Sequence, residues 1–163
     1  MTHPRKTVLI TGCTDGGIGG GLAEFFHEKG YHVYATLRDP SKIPSSLSAS
    51  PNATVLTLDV LSSDSITAAV ETVRSTTGDR LDVLINNSGI GFSLPALDTP
   101  IEESKRVFDV NLWAPTAMFH AFAPLVVAAK GCIVNNTSVN GFVPMPLMSE
   151  YHAISFCGEG LTV

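Results

Sequence analysis

"KTVLITGCTDGGIGGGLAEFF", residues 6–26, passes from an unbroken apolar run through six glycines into a helical pattern. Residues 6–11 are apolar and β-branched on successive positions, the mark of a short strand buried on both faces. Ile18, Leu22, Phe25 and Phe26 then recur at helical spacing, and Gly30 closes the helix. A strand that runs through a glycine turn into a helix opens an α/β unit rather than a hairpin.

The turn itself suits a phosphate. Gly12 permits the sharp bend, and Gly17 and Gly19 leave the backbone open to a pyrophosphate. The helix starting near Ile18 offers unpaired N–H groups and the positive end of its dipole. A P-loop would need Lys-Ser/Thr after the last glycine of its motif, where Ile18 and Gly19 stand.

Working outward, residues 31–37 form a second strand, and 38–52, rich in Ser and Pro, a surface connection with a short helical turn. Residues 53–60 form a third strand. Ser62 and Ser63 then cap a helix with Ile66, Val70 and Val73 on one face. Residues 81–89 read as strand four. A long helix follows from about Ile101, with its tilt changing near Pro115 and Pro124, and residues 131–138 form strand five. Apolar strands in strict alternation with helices predict a doubly wound parallel sheet of the Rossmann type, covered on both faces. At 163 residues and 44% apolar content, residues 1–163 make one domain.

Composition excludes several functions. Only 15% of residues are charged, the net charge is −5, and no basic run exists to neutralise nucleic-acid phosphates. The apolar stretch 112–129 carries two prolines and a histidine and reads as a buried helix pair, not a membrane span. The N-terminus enters a strand at once, leaving no room for a signal peptide. The expectation is a cytoplasmic protein, with peripheral contact to a membrane or lipid droplet as the alternative. Three cysteines without metal or disulfide spacing read as reduced, mostly buried thiols, and the histidine spacing predicts no metal site. Asn135 and Asn136 begin glycosylation-type triplets, but at the end of a core strand.

The end of strand two bears on the cofactor. Thr36 and Leu37 are followed by Arg38, with Asp39 one step later, so no carboxylate occupies the strand end. A basic residue there favours the 2′-phosphate of NADP over NAD.

Together these residues resemble the short-chain dehydrogenase/reductase family. "TGCTDGGIG" is similar to its cofactor motif with one extra residue between the first glycines, and "NNSG" at 86–89 matches its Asn-Asn-Ala-Gly with Ser88 for alanine. Asp59 and Val60 resemble the adenine-contacting pair after strand three. Asn111, Ser138 and Tyr151 fall in the order of the catalytic asparagine, serine and tyrosine. The variant turn and "YATLRD" look most like fungal 1-acyldihydroxyacetone-phosphate reductases. The resemblance implies a carbonyl or secondary-alcohol substrate drawn from lipids or secondary metabolites. It also implies Tyr151 as the acid/base, Ser138 as the residue that holds the substrate oxygen and Asn111 as the anchor of a relay water. The residues expected to hold the cofactor are Gly12, Gly17, Ile18, Gly19, Arg38, Asp59, Asn87 and Ser155. A phenol, titrating near 10 in water, needs a neighbouring cation to work at neutral pH.

Two departures follow. In "YHAISFCGEGLT" (151–162), Ser155 stands where the family has that cation, a lysine. The sequence also stops at Val163, after the fifth strand and the start of the catalytic helix, where the family continues with further strands and a substrate loop. The open flank of strand five would call for another copy of the chain in a homo-oligomer, or for a different partner. The alternative to a working enzyme is therefore a catalytically impaired, cofactor-binding or interaction protein of the same descent.

Overall fold

The computed structural model describes residues 5–159. Five strands, β1 (Thr7–Thr11), β2 (His32–Leu37), β3 (Ala53–Thr57), β4 (Val83–Asn86) and β5 (Cys132–Asn135), pair in parallel in the order β3-β2-β1-β4-β5. The chain steps outward from β1 to β3, then returns to build β4 and β5 on the other side of β1. The strand order thus reverses between β1 and β4, where open α/β sheets bind their ligands beyond the carboxyl ends of the strands.

Parallel neighbours need long crossovers, which helices supply. α1 (Ile18–Glu28) lies between β1 and β2, α2 (Ser45–Ser48) before β3, and α3 (Ser63–Thr77) between β3 and β4. α4 (Ile101–Phe108) and α5 (Ala114–Ala129) join β4 to β5, and α6 (Ser149–Glu159) follows β5. Alternate residues of each strand feed opposite layers. Leu9, Tyr34 and Leu84 pack with Ile66, Val70 and Val73 of α3 and Met118, Phe122 and Leu125 of α5. Val8, Ile10, Val33, Val83 and Ile85 pack with Ala23 and Leu47 on the other side. Both faces of the central strands are covered, which explains their uniform apolarity.

Three strands are shorter than their apolar runs because polar groups take over their hydrogen bonds. After Asn86 the N–H groups of Asn87 and Ser88 donate to Thr11 Oγ1 at 2.9 and 2.8 Å. Leu58 N still donates to Leu37 O at 3.0 Å, and the chain leaves the β3 ladder at Asp59, whose N–H donates to Ser65 Oγ at 3.0 Å. After β5, Ser138 Oγ accepts from Asn140 N at 3.3 Å and caps a 3-10 turn. Ser62 likewise caps α3, accepting from Ser65 N, and Gly78 ends it in the left-handed region at φ 66°.

The residues from Ile101 to Ala129 form one continuous helical run rather than a helix pair, long and apolar enough by composition to cross a membrane. Here it lies on the sheet, with Met118, Phe122 and Leu125 almost fully buried. Its one change of register is a π-helical turn, Asp109–Trp113, immediately before Pro115. Pro115 has no N–H to offer Asn111 four residues back, and its ring crowds that carbonyl, so the turn widens. Pro124 sits inside α5 and does not end it. The expectation of mostly buried thiols is corrected. Cys13 is buried, whereas Cys132 lies on the outer strand and Cys157 on the last helix, both exposed.

Candidate functional site

A cavity of about 820 Å³ runs across the carboxyl ends of β1, β2, β4 and β5. Ten of the eleven residues expected at the site line it: Gly12, Ile18, Gly19, Arg38, Asp59, Asn87, Asn111, Ser138, Tyr151 and Ser155. Gly17 does not. It is the N-cap of α1, with its N–H turned back to Thr14 O at 3.0 Å.

The glycine turn is built by close packing. Gly12 sits at φ 76° and Gly16 at φ 71°, conformations that side chains rarely adopt. A Cβ on Gly19 would lie 2.4 Å from both Asn87 Nδ2 and Gly12 O, so α1 starts pressed against the turn and β4. Gly20 is equally constrained, its Cβ position being 2.5 Å from Thr14 O. Gly16 and Gly20 were missed as turn-forming residues, although the glycine run is their signal. No side chain caps the N-terminus of α1, and its first turn holds no acidic residue. These features fit a dinucleotide: an anion-favouring helix start at the strand reversal, facing a cavity of suitable size.

At the β2 end Arg38 is exposed and has no partner among the described residues. Asp39 is withdrawn into the following turn, where its Oδ1 accepts from Ser41 Oγ at 2.7 Å and Ser41 N at 3.1 Å. The Ser41 hydroxyl is the main cause that holds this carboxyl below its usual range. Asp59 is exposed, with Oδ1 accepting from Leu61 N at 3.0 Å.

Asn87 ties three strand ends together. Its Nδ2 donates to Thr11 O at 2.8 Å and Gly12 O at 3.3 Å, while its Oδ1 accepts from Asn136 Nδ2 at 2.9 Å. Asn86 beside it donates to Asn135 Oδ1 at 2.9 Å, and its own Oδ1 is buried without a partner in the cavity wall.

At the far end, Asn111 occupies the π turn and clamps residue 90. Its Oδ1 accepts from Ile90 N at 2.9 Å and its Nδ2 donates to Ile90 O at 2.7 Å. Tyr151 is half-buried and packs on Gly91, where a Cβ would meet its ring at 3.2 Å. Its hydroxyl has no hydrogen-bond partner among the described residues, nor is it bonded to Ser138. Ser155 Oγ donates to Tyr151 O at 2.7 Å, the hydroxyl turned onto its own helix. His152 takes a separate direction, its Nδ1 meeting Asn140 O. The charged residues lining the cavity are Arg38, Asp59 and Arg106. Arg106, in the charged opening of the helix from Ile101, was not among the expected site residues, nor was Asn136. Gly160, Leu161 and Thr162 of the motif lie outside the described residues.

The comparisons agree with this geometry. Residues 6–162 match the family model described as short chain dehydrogenase. A short-chain dehydrogenase of Penicillium crustosum is 47% identical over 135 residues, covering 83% of this chain and 49% of its own. The NADPH-dependent 1-acyldihydroxyacetone phosphate reductase of Schizosaccharomyces pombe is 40% identical over 149 residues, covering 91% and 50%. A metagenomic short-chain oxidoreductase solved in complex with NADP superposes with a TM-score of 0.86 at 33% identity, covering 96% of this chain and 72% of that one. The chain thus spans about half the length of the curated relatives it matches. With the parallel sheet, the glycine turn and the Asn111–Ser138–Tyr151 set meeting in one cavity, the chain belongs to the short-chain dehydrogenase/reductase family of oxidoreductases.

Proposed function

We propose that this chain carries the cofactor-binding and proton-transfer part of an NADP(H)-dependent oxidoreductase. Its substrate would be a carbonyl, or the matching secondary alcohol, of a lipid or secondary metabolite. The observation that carries the cofactor choice is the free Arg38 guanidinium at the cavity beside an Asp39 already spent on Ser41. A cation with no competing carboxylate suits a 2′-phosphate better than a ribose diol. The relative named for NADPH dependence and the oxidoreductase solved with NADP support the same choice, and the 1-acyldihydroxyacetone phosphate in the former's name, an acyl ester of a phosphorylated ketone, supports the lipid class.

In this reading Gly12, Ile18, Gly19 and the uncapped α1 N-terminus receive the pyrophosphate, with Gly17 setting the start of that helix. Arg38 pairs with the 2′-phosphate, Asp59 meets the adenine, Asn87 floors the middle and Ser155 faces the nicotinamide ribose. The bound nicotinamide supplies or accepts the hydride. Tyr151 gives or takes the proton on the substrate oxygen, and Ser138 Oγ holds that oxygen by a hydrogen bond. Asn111 fixes the Ile90 backbone and keeps one amide hydrogen for a relay water.

A cofactor-binding protein with impaired chemistry is the second reading. It rests on one observation: Ser155 is hydrogen-bonded to its own helix, and the cationic residues of the cavity lie on α4 and after β2, not on α6. Fluorescence titration with NADPH and NADH, followed by a carbonyl panel, tests both readings. NADPH is expected to bind more tightly than NADH. Arg38→Ala is expected to weaken NADPH about tenfold while leaving NADH unchanged. An unchanged preference in that variant would refute the cofactor choice, and tight binding without turnover would favour the second reading.

A further inference from the structure

Asn136 is an exposed residue at the end of β5, in the cavity wall between the glycine turn and the Ser138–Tyr151 end. Its backbone N–H continues the β4–β5 ladder, donating to Asn86 O at 2.9 Å. That register sets its side chain beside Asn87, and Asn136 Nδ2 donates to Asn87 Oδ1 at 2.9 Å. The carbonyls of Thr11 and Gly12 each accept from Asn87 Nδ2, so only one orientation of the Asn87 amide is allowed. Asn136 must therefore be the donor. A line of amide hydrogen bonds then runs from β5 through β4 to the turn after β1, across the cavity floor.

This bond is solvated in the open cavity, and a hydrogen bond in contact with water contributes little net stability. Once a ligand covers it, water is excluded and the same bond becomes stronger, while its loss would leave a desolvated acceptor on Asn87. Its contribution to the folded chain and its contribution to binding are thus separable.

We propose that Asn136 is a cofactor-positioning residue, holding the Asn87 amide, and through it the Thr11–Gly12 turn, in register with a bound dinucleotide. The inference rests on the nicotinamide-cofactor reading of the cavity. Asn136→Leu keeps the size and removes the donor, and Asn136→Gln restores a donor on a longer arm with room at an exposed position. For each chain NADPH affinity is measured by fluorescence, affinity for adenosine 2′-monophosphate by calorimetry, and the melting temperature without ligand. Lacking a 5′-phosphate for the glycine turn, the monophosphate probes only the Arg38–Asp59 end.

The expected result is about tenfold weaker NADPH binding by Asn136→Leu. Monophosphate affinity and melting temperature should hold at wild-type values, and Asn136→Gln should recover most of the loss. Equal NADPH affinity in wild type and Asn136→Leu would overturn the proposal alone. So would a parallel loss of NADPH affinity, monophosphate affinity and melting temperature, which marks a merely structural residue. Failure of the wild type to bind NADPH would overturn the cofactor reading and this inference with it.

Discussion

Ser155 and Tyr151 pose the chemical question at the scale of single residues. The serine hydroxyl donates to Tyr151 O at 2.7 Å, so it steadies the backbone of the tyrosine rather than its phenol. Both residues line the cavity, and Ser155 is buried. A lysine in its place would put an ammonium in this shielded wall, and a cation there favours the phenolate form of a neighbouring tyrosine. Ser155→Lys is therefore expected to raise any carbonyl-reduction rate roughly tenfold or more, since each pKa unit of stabilisation is worth about 1.4 kcal/mol. The rate–pH profile should move to lower pH. Steady-state rates against pH at saturating NADPH, for wild type, Ser155→Lys and Ser155→Lys with Tyr151→Phe, provide the check. A gain that survives the loss of the phenol would remove Tyr151 from proton transfer.

Between elements, the two ends of the sheet do different work. At the carboxyl ends the strands loosen into the side-chain network around Asn87 and the π turn around Asn111. At the amino ends the packing is backbone against backbone. A Cβ on Gly131, just before β5, would lie 2.3 Å from Asp82 O and 2.8 Å from Leu81 O. The Asp82 carboxylate in turn accepts through Oδ2 from Thr7 N at 2.8 Å and Thr7 Oγ1 at 3.0 Å, so any displacement passes to β1. Gly131→Ala is expected to cost about 1–3 kcal/mol, the usual range for overpacking. NADPH affinity should be unaffected because the change lies at the opposite end of the strands. Urea unfolding and NADPH titration of the same preparation measure the two effects, and an unshifted unfolding midpoint would contradict the close approach.

For the whole molecule, pH dependence follows from what the two layers bury. Cys13 is fully buried after the first strand, its Sγ donating to Ile10 O at 3.2 Å, and burial pushes its thiol from an ordinary 9.0 up to about 12. The folded chain therefore keeps a proton that the unfolded chain releases above about pH 9. With more protons bound in the folded state, stability is fully present below that pH and falls as pH rises toward the folded value. The slope from this one group is about 1.4 kcal/mol per pH unit. Cys13→Ala should lose that component of the alkaline slope, though less stable near neutral pH by the packing of one sulfur. Burial also raises the Tyr34 phenol, but that contribution is common to both chains and cancels. Unfolding free energies for the two chains at several pH values from neutral to alkaline provide the test, and parallel curves would refute the assignment.

Periodicity and turn chemistry are local, and what depends on them was readable from the chain alone. The alternation of strands and helices, the glycine junction, the Ser62 cap and the doubly wound class all followed from residues close in sequence. The motif residues fell into one cavity because every strand of a parallel sheet points its carboxyl end the same way. Pairing across distance was not readable. The order β3-β2-β1-β4-β5 and its reversal beside β1 depend on which strands meet, a choice that apolar periodicity leaves open. Asn87 reaches Thr11 across 76 positions and Asn136 across 49, so their partnership appears only once β1, β4 and β5 lie side by side. Gly17 turning back to Thr14, Asp39 turning into Ser41 and Ser155 turning onto Tyr151 O were each settled by the folded backbone, which brought one acceptor or donor closer than the cavity.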